Sequence, residues 1–305
     1  MKTKFFAITF FIILTGVMVK SETEDSGTAQ AMYPVDTDNP LFHAAYHGNI
    51  ERVKDIVNQF MSANVRNNKG QTALMAACEA GRLDIIKFLL SRGADIHIKD
   101  NEGWTAFLFA SSRDHISVVK FLIEKGANIN DRDNGGNTSL IWAVRQGYFK
   151  LLKYLIEKGA NINDKTNDGN TVLMWASFSW GGNLEILKFL IEKGAEINAK
   201  SNNGYSALLS ACQRNLEIVK FLIQKGVNIN DRTSEGYNGL MLNAYRGPIE
   251  IMKFLIEKGI NVNDKSSDGK TALMISSSFN GGNIEKVKYL IEKGADINAK
   301  DEMNW

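Results

Sequence analysis

Among the residues that could do chemistry in this sequence of 305 residues, two histidines stand close together. His43 and His47 are four residues apart, a spacing that brings both imidazoles to one face of a helix and occurs in zinc sites. The residues between them include no glutamate, which a zinc-protease helix requires. Since zinc takes three or four protein ligands, the pair is an incomplete site. We expect His43 to pack against the next structural unit and His47 to be solvated; a metal or catalytic centre is the alternative.

Other catalytic signatures are missing from the sequence. It contains neither a Gly-x-Ser-x-Gly elbow nor a Gly-rich phosphate loop followed by lysine. His97 is expected to bond backbone groups, His115 is expected to lie in the turn before a helix, and Cys78 and Cys212 are the two cysteines. We expect both thiols to be buried, free and too far apart for a disulfide. The sequence thus predicts no enzyme and no cofactor.

The first 21 residues are typical of a secretory signal peptide. A short basic start precedes an apolar run from Phe5 to Val19, and Ser21 ends a plausible cleavage site. The run is shorter than the roughly 20 apolar residues of a membrane span, although an uncleaved anchor is the alternative. Cleavage predicts an exported protein, periplasmic or extracellular, without a membrane span.

Removing this segment also changes the charge of the chain. Loss of Lys2, Lys4 and Lys20 lowers the formal net charge by three, from +2 to −1. A chain near neutrality lacks the basic footprint of a nucleic-acid-binding protein. Residues 22–33 are polar and acidic without periodicity, which predicts a disordered leader.

The rest of the chain repeats itself. The heptad "EKGANIN" occupies 124–130 and again 157–163, and close variants follow at intervals. The recurring glycines are separated by 32 to 35 residues; they are Gly93, Gly126, Gly159, Gly194, Gly226, Gly259 and Gly294. A period of this size predicts a solenoid.

Residues 133–165 show how one unit folds. Asn134 to Asn137 predicts the tip of a short hairpin, and Thr138 then caps a first helix. Gly147 breaks that helix, and a second helix follows from Phe149 to Lys158. Gly159 is placed to end it in a left-handed conformation, and the asparagines of the heptad can bond backbone groups in the bend that follows.

The unit resembles the ankyrin repeat family, whose signature is Thr-Pro-Leu-His-x-Ala. The corresponding stretches begin at Asn39, Thr72, Thr105, Thr138, Thr171, Ser206 and Thr271, and only the first keeps the proline. The resemblance implies an all-α solenoid of helix-turn-helix repeats with short β-hairpin connections, and together with the signal segment it predicts an exported, bacterial-type ankyrin-repeat protein. It implies eight repeats over 34–300, at 34–66, 67–99, 100–132, 133–165, 166–200, 201–232, 233–265 and 266–300, and a partial ninth hairpin at 301–305.

The terminal repeats carry a charge where the inner repeats are apolar. One position of the second helix is Arg52 in the first repeat and Lys286 in the eighth, but aliphatic in the six inner repeats. Because a solenoid must make its end faces polar, these charges predict an array capped at both ends and a monomer.

The resemblance also implies where a partner binds. In this family the hairpin tips and first helices form one concave surface that generally binds other proteins. Carried over by position, the predicted partner-binding residues are Trp104, Arg113, Arg145, Phe178, Trp180, Tyr205, Arg214, Tyr237, Tyr245, Arg246 and Phe279. Aromatic residues and arginine dominate protein interfaces. Trp142 and Trp175 lie inside first helices, where packing between repeats is the favoured interpretation.

Each prediction has an alternative. Phe178 and Phe279 could tuck under their own loops, and the arginines could form a solvated edge. The main prediction is a non-catalytic scaffold that binds a partner protein of unknown identity on the concave groove. The alternatives are a metal-binding or enzymatic protein centred on His43 and His47, and a structural protein that self-assembles through its ends.

Overall fold

The computed structural model describes residues 39–59, 62–178, 183–278 and 283–303. The predicted signal peptide and leader, the loop residues Trp180 and Phe279, and the end of the ninth hairpin lie outside these ranges. The described residues form sixteen α-helices in eight consecutive pairs and include no β-strand. The predicted all-α repeat solenoid is thus confirmed.

Each pair consists of a first and a second helix. The first helices are α1 (Pro40–His47), α3 (Ala73–Glu79), α5 (Ala106–Ser112), α7 (Ser139–Gln146), α9 (Val172–Phe178), α11 (Ala207–Ala211), α13 (Gly239–Arg246) and α15 (Ala272–Ser278). The second helices are α2 (Ile50–Gln59), α4 (Leu83–Ser91), α6 (Ile116–Glu124), α8 (Phe149–Glu157), α10 (Leu184–Glu192), α12 (Leu216–Gln224), α14 (Ile249–Glu257) and α16 (Ile284–Glu292). In the described parts of the chain, no helix has the length and apolarity needed to span a bilayer.

The helix ends follow the sequence signals. Thr138 caps α7 by accepting a hydrogen bond from the Ile141 N–H at 3.4 Å. Gly159 has a φ of 89°, and a Cβ built there would meet no atom within 4 Å. Glycine is therefore needed at this position for its left-handed backbone and not for space.

Two layers of helices bury the core. Each first helix packs against its own second helix and against the first helices of neighbouring repeats, whereas second helices contact one another more sparsely. Leu140 of α7 and Leu151 of α8 are buried in this way. Cys78 and Cys212 are buried free thiols, as predicted, and burial raises the pKa of the Cys212 thiol to about 12.

The predicted hairpins are tight turns closed by at most one β-bridge, such as the one between Arg132 and Thr138. Neighbouring tips are joined by backbone hydrogen bonds: the Asn134 N–H donates to the Glu102 carbonyl at 2.9 Å, and the Asn167 N–H donates to the Gly135 carbonyl at 3.0 Å. The same bond recurs from Asn101 to Lys69, Asn202 to Asp168, Ser234 to Asn203, Ser267 to Glu235 and Glu302 to Asp268. This ladder fixes the spacing of the tip side chains along the array.

Close approach of the tips explains the turn glycines. Gly103 has a φ of 80°, and a Cβ built on it would lie 2.7 Å from the backbone nitrogen of Asn134. A side chain at this position would therefore strain its own backbone and also push the next repeat away.

The heptad does more than end a helix. Asn163, its last residue, accepts a hydrogen bond from the Glu196 N–H at 2.9 Å and donates to the Gly194 carbonyl at 3.4 Å. Asn64 and Asn263 bond the next repeat in the same way. The heptad thus also links each of these repeats to the following one.

The predicted cap at the C-terminal end is wrong. Arg52 is exposed, but Lys286 is only 2% exposed. Its ammonium donates to the Asn243 carbonyl at 2.8 Å and to the Ala244 carbonyl at 3.4 Å, both near the end of α13. This helix position therefore faces the preceding repeat, so that a charge here can cap the first repeat but not the last.

Candidate protein-interaction surface

The two histidines of the first helix stack on each other. Their ring centroids are 4.2 Å apart with a tilt of 45°, and both side chains are exposed. The expectation that His43 packs against the second repeat is therefore wrong. No group of three or more His, Cys, Asp or Glu residues that could hold a metal occurs among the described residues.

The other two histidines occupy structural positions. His115 precedes α6, as its place in the turn predicts, and its Nε2 lies 2.9 Å from the Glu79 carbonyl oxygen. The backbone N–H of His97 donates to the Asp95 carboxylate at 2.8 Å.

An aromatic cluster lies where the hairpin tip of the third repeat meets the first helices. We define it as Trp104, Phe109, Trp142 and Trp175. The Trp104 ring lies 5.0 Å from Phe109 and 5.0 Å from Trp142, measured between centroids. Phe109 is buried, whereas the three tryptophans are half-buried. The cluster thus keeps part of three indole rings accessible to solvent.

Arg145 completes this cluster. Its guanidinium carbon lies 4.5 Å from the ring centroid of Trp142 and 4.5 Å from that of Trp175. Within the described residues, no carboxylate or carbonyl accepts a hydrogen bond from this guanidinium. Burial lowers the pKa of Arg145, and the negative charge of Asp133 opposes that shift. The cation is therefore held by two aromatic rings and not by an ion pair.

Asp133 positions the cluster from the tip of the fourth repeat. Its carboxylate is largely buried and accepts hydrogen bonds from the backbone N–H groups of Gly135 and Asn137 at 2.9 and 2.8 Å. It also accepts from the Asn137 side chain and, at 3.2 Å, from the indole N–H of Trp142. One carboxylate thus fixes both the hairpin tip and the orientation of a tryptophan.

Arg113 is engaged within the chain. It forms an ion pair of 2.7 Å with Glu79, whose side chain is largely buried. The pair connects the ends of α3 and α5, so Arg113 contributes to the contact between the second and third repeats.

Two tyrosines follow at the tips of the sixth and seventh repeats. Tyr205 and Tyr237 are half-buried, and their backbone N–H groups donate to Ser201 and Thr233, each at 3.1 Å. Burial is the main cause that raises the pKa of both phenols, and the charge of Glu235 adds to it. Both rings therefore stay neutral at physiological pH.

The remaining predicted arginines also lie over aromatic rings. The guanidinium carbon of Arg214 is 5.1 Å from the Phe178 ring, and that of Arg246 is 5.2 Å from the Tyr245 ring. Burial lowers the pKa of Arg214, and the positive charge of Arg246 lowers it further. The two cations are thus close enough to repel each other. Phe178 is half-buried and covered on one face by Arg214.

Sequence reasoning assigned Trp142 and Trp175 to packing and left Phe109 out. All three stand four residues after Thr105, Thr138 or Thr171, so that they recur at one position of three successive first helices. Since first helices pack side by side, this recurrence was the signal that could have placed them in one row.

Comparison with known proteins gives one family. The family model described as Ankyrin repeats (3 copies) matches residues 17–100, 94–166, 163–233 and 208–301. A search of curated proteins found no match. Ankyrin repeats generally mediate protein-protein interaction, and proteins built from them are typically non-enzymatic scaffolds. Because the matches together span most of its length, the chain belongs to the ankyrin repeat family.

Proposed function

We propose that this chain is a non-catalytic scaffold that binds a partner protein on the surface formed by its hairpin tips and first helices. The observation that carries the proposal is the half-buried aromatic cluster around Arg145. Large rings and arginines that are partly desolvated before binding are the residues that contribute most to protein interfaces.

The surface is long enough for a partner to contact several repeats. From Trp104 in the third repeat to Arg246 in the seventh, it spans roughly 40 Å if each repeat advances about 10 Å. Tyr205, Tyr237 and the Arg214–Phe178 pair lie between. A typical stable interface buries about 800 Å² on each partner, which a surface of this length can supply.

A pull-down from the native compartment tests the proposal. We expect the triple variant Trp104→Ala/Tyr205→Ala/Tyr237→Ala to lose the partner that the wild type recovers. The matched control is Lys120→Ala/Lys153→Ala/Lys188→Ala, whose three lysines are exposed on the second helices. Circular dichroism verifies that both variants are folded. Equal recovery by the wild type and the aromatic variant would remove this surface from consideration.

Export and a monomeric state are part of the same proposal. Export is supported by the apolar run from Phe5 to Val19, and we expect the mature protein, periplasmic or extracellular, to begin at Glu22. N-terminal sequencing of the native protein checks this, and an intact Met1 would contradict it.

Sedimentation over a range of concentrations tests whether the protein is a monomer. We expect partners to be proteins and not nucleic acids.

The alternative centre at the stacked imidazoles of His43 and His47 has its own test. A stoichiometric metal in the purified protein that is lost in His47→Ala would favour that centre over a pure scaffold.

A further inference from the structure

We propose that the partner presents an acidic segment, and that one of its carboxylates binds Arg145 between Trp142 and Trp175. This inference rests on the proposed function and adds the chemistry of the partner.

The guanidinium of Arg145 contacts two indole rings. Its carbon lies 4.5 Å from each of two indole centroids, a distance at which ring and guanidinium are in contact. A cation–π contact supplies no lone-pair oxygen, so the five N–H donors of the guanidinium, which lie in its plane, remain open to an oxygen ligand. A ligand is therefore expected to approach along the edge of the guanidinium.

The N–H donors of Arg145 lack an acceptor among the described residues. Asp133 is the acidic residue whose charge reaches Arg145, yet its oxygens already accept from Trp142, Asn137 and two backbone N–H groups. Among the described residues, no other group takes the Arg145 donors. A half-buried cation with unused donors favours an anion from outside the chain, and a carboxylate matches two parallel N–H groups in one plane.

Three arginines form a row along the surface. Arg145, Arg214 and Arg246 stand on the fourth, sixth and seventh repeats, each within 5.2 Å of an aromatic ring. The row extends over roughly 30 Å, which about ten extended residues can span. Several spaced carboxylates fit this row better than a single terminal carboxylate or phosphate.

The experiment uses the full mature chain and three peptides of about ten residues that alternate serine with glutamate, glutamine or phosphoserine. Quenching of tryptophan fluorescence, to which Trp142 and Trp175 contribute among five tryptophans, reports binding. We expect the glutamate peptide to bind at least about tenfold more tightly than the glutamine peptide, and its affinity to fall as sodium chloride is raised.

Variants assign the effect to Arg145. We expect Arg145→Lys, which keeps the charge but loses the planar fork, to weaken the glutamate peptide about tenfold, and Arg145→Gln to weaken it more. Arg92→Lys is the matched control, because Arg92 also lies over an aromatic ring, Phe88, but follows a second helix. It is expected to leave binding unchanged.

Three results would overturn the inference: equal binding of the glutamate and glutamine peptides, an unchanged affinity in Arg145→Lys, or binding of the phosphoserine peptide alone. The pull-down separates this failure from that of the proposed function. If Trp104→Ala/Tyr205→Ala/Tyr237→Ala loses the partner while Arg145→Gln retains it, the surface binds the partner without an acidic anchor. If the triple variant also retains it, the proposed function itself is wrong.

Discussion

The two ends of the array differ in the environment of one equivalent residue. Arg52 in the first repeat is exposed, whereas Lys286 in the eighth repeat is buried and bonds two carbonyl groups of the seventh. The same helix position faces backward along the stack in both repeats. It meets solvent in the first and a neighbour in the eighth. A charge at this position therefore makes an end face polar only at the beginning of the array.

The forward face of the last described repeat is apolar. Ile284 and Ile297 are each 68% exposed, and Ile291 is 47% exposed. Their counterparts in the third repeat, Ile116, Ile123 and Ile129, are half-buried. Among the described residues, no successor covers at the eighth repeat the surface that inner repeats bury.

The largest expected effect is the loss of stability on removing Lys286, compared with removing Arg52 at the equivalent position. Lys286→Ala removes a buried aliphatic stem and the donor to two carbonyl groups, and we expect it to lower the free energy of unfolding by about 1–3 kcal/mol. Arg52→Ala is expected to change it by less than about 0.5 kcal/mol because its side chain is exposed. Urea unfolding measures both. Equal, small effects would show that Lys286 faces solvent.

The stability of the protein should depend on pH through Lys286. Burial lowers the pKa of Lys286 below its ordinary value of 10.5. As the pH falls, the unfolded chain takes up this proton first, so that between the two pKa values the unfolded state binds more protons. Stability should therefore rise with pH across this window. Thermal unfolding of the wild type and Lys286→Met isolates the effect, and parallel curves for the two proteins would contradict it.

The smallest expected effect is at the open end. Ile284→Lys and Ile297→Lys should each change the free energy of unfolding by less than about 0.5 kcal/mol, because both side chains are largely exposed. The control Ile116→Lys, at the half-buried equivalent of Ile284, is expected to cost about 1–2 kcal/mol. Urea unfolding again measures the change. A large loss in Ile284→Lys would mean that something covers this face in solution, and a dimer that dissociates in this variant would also contradict the proposed monomer.

The candidate site shows how far sequence reasoning reached. The sequence identified Trp104 and Arg145 by their positions in the repeat, but it could not show that Arg145 lies between Trp142 and Trp175, because those residues belong to different repeats. It also treated Arg113 as a binding residue, whereas the structure pairs it with Glu79 of the preceding repeat. Contacts between repeats depend on distance and direction in space, which a linear pattern does not contain.

The sequence by itself determined the period, the helix pairs and the left-handed glycines such as Gly159. Each of these depends on residues within one turn or one helix, where local backbone preference and apolar spacing act directly. The tertiary structure decided which way a helix position faces along the stack, and hence that Lys286 is buried while Ile284 is exposed. It also decided which side chains from successive repeats meet, because that requires the packing of one repeat against the next.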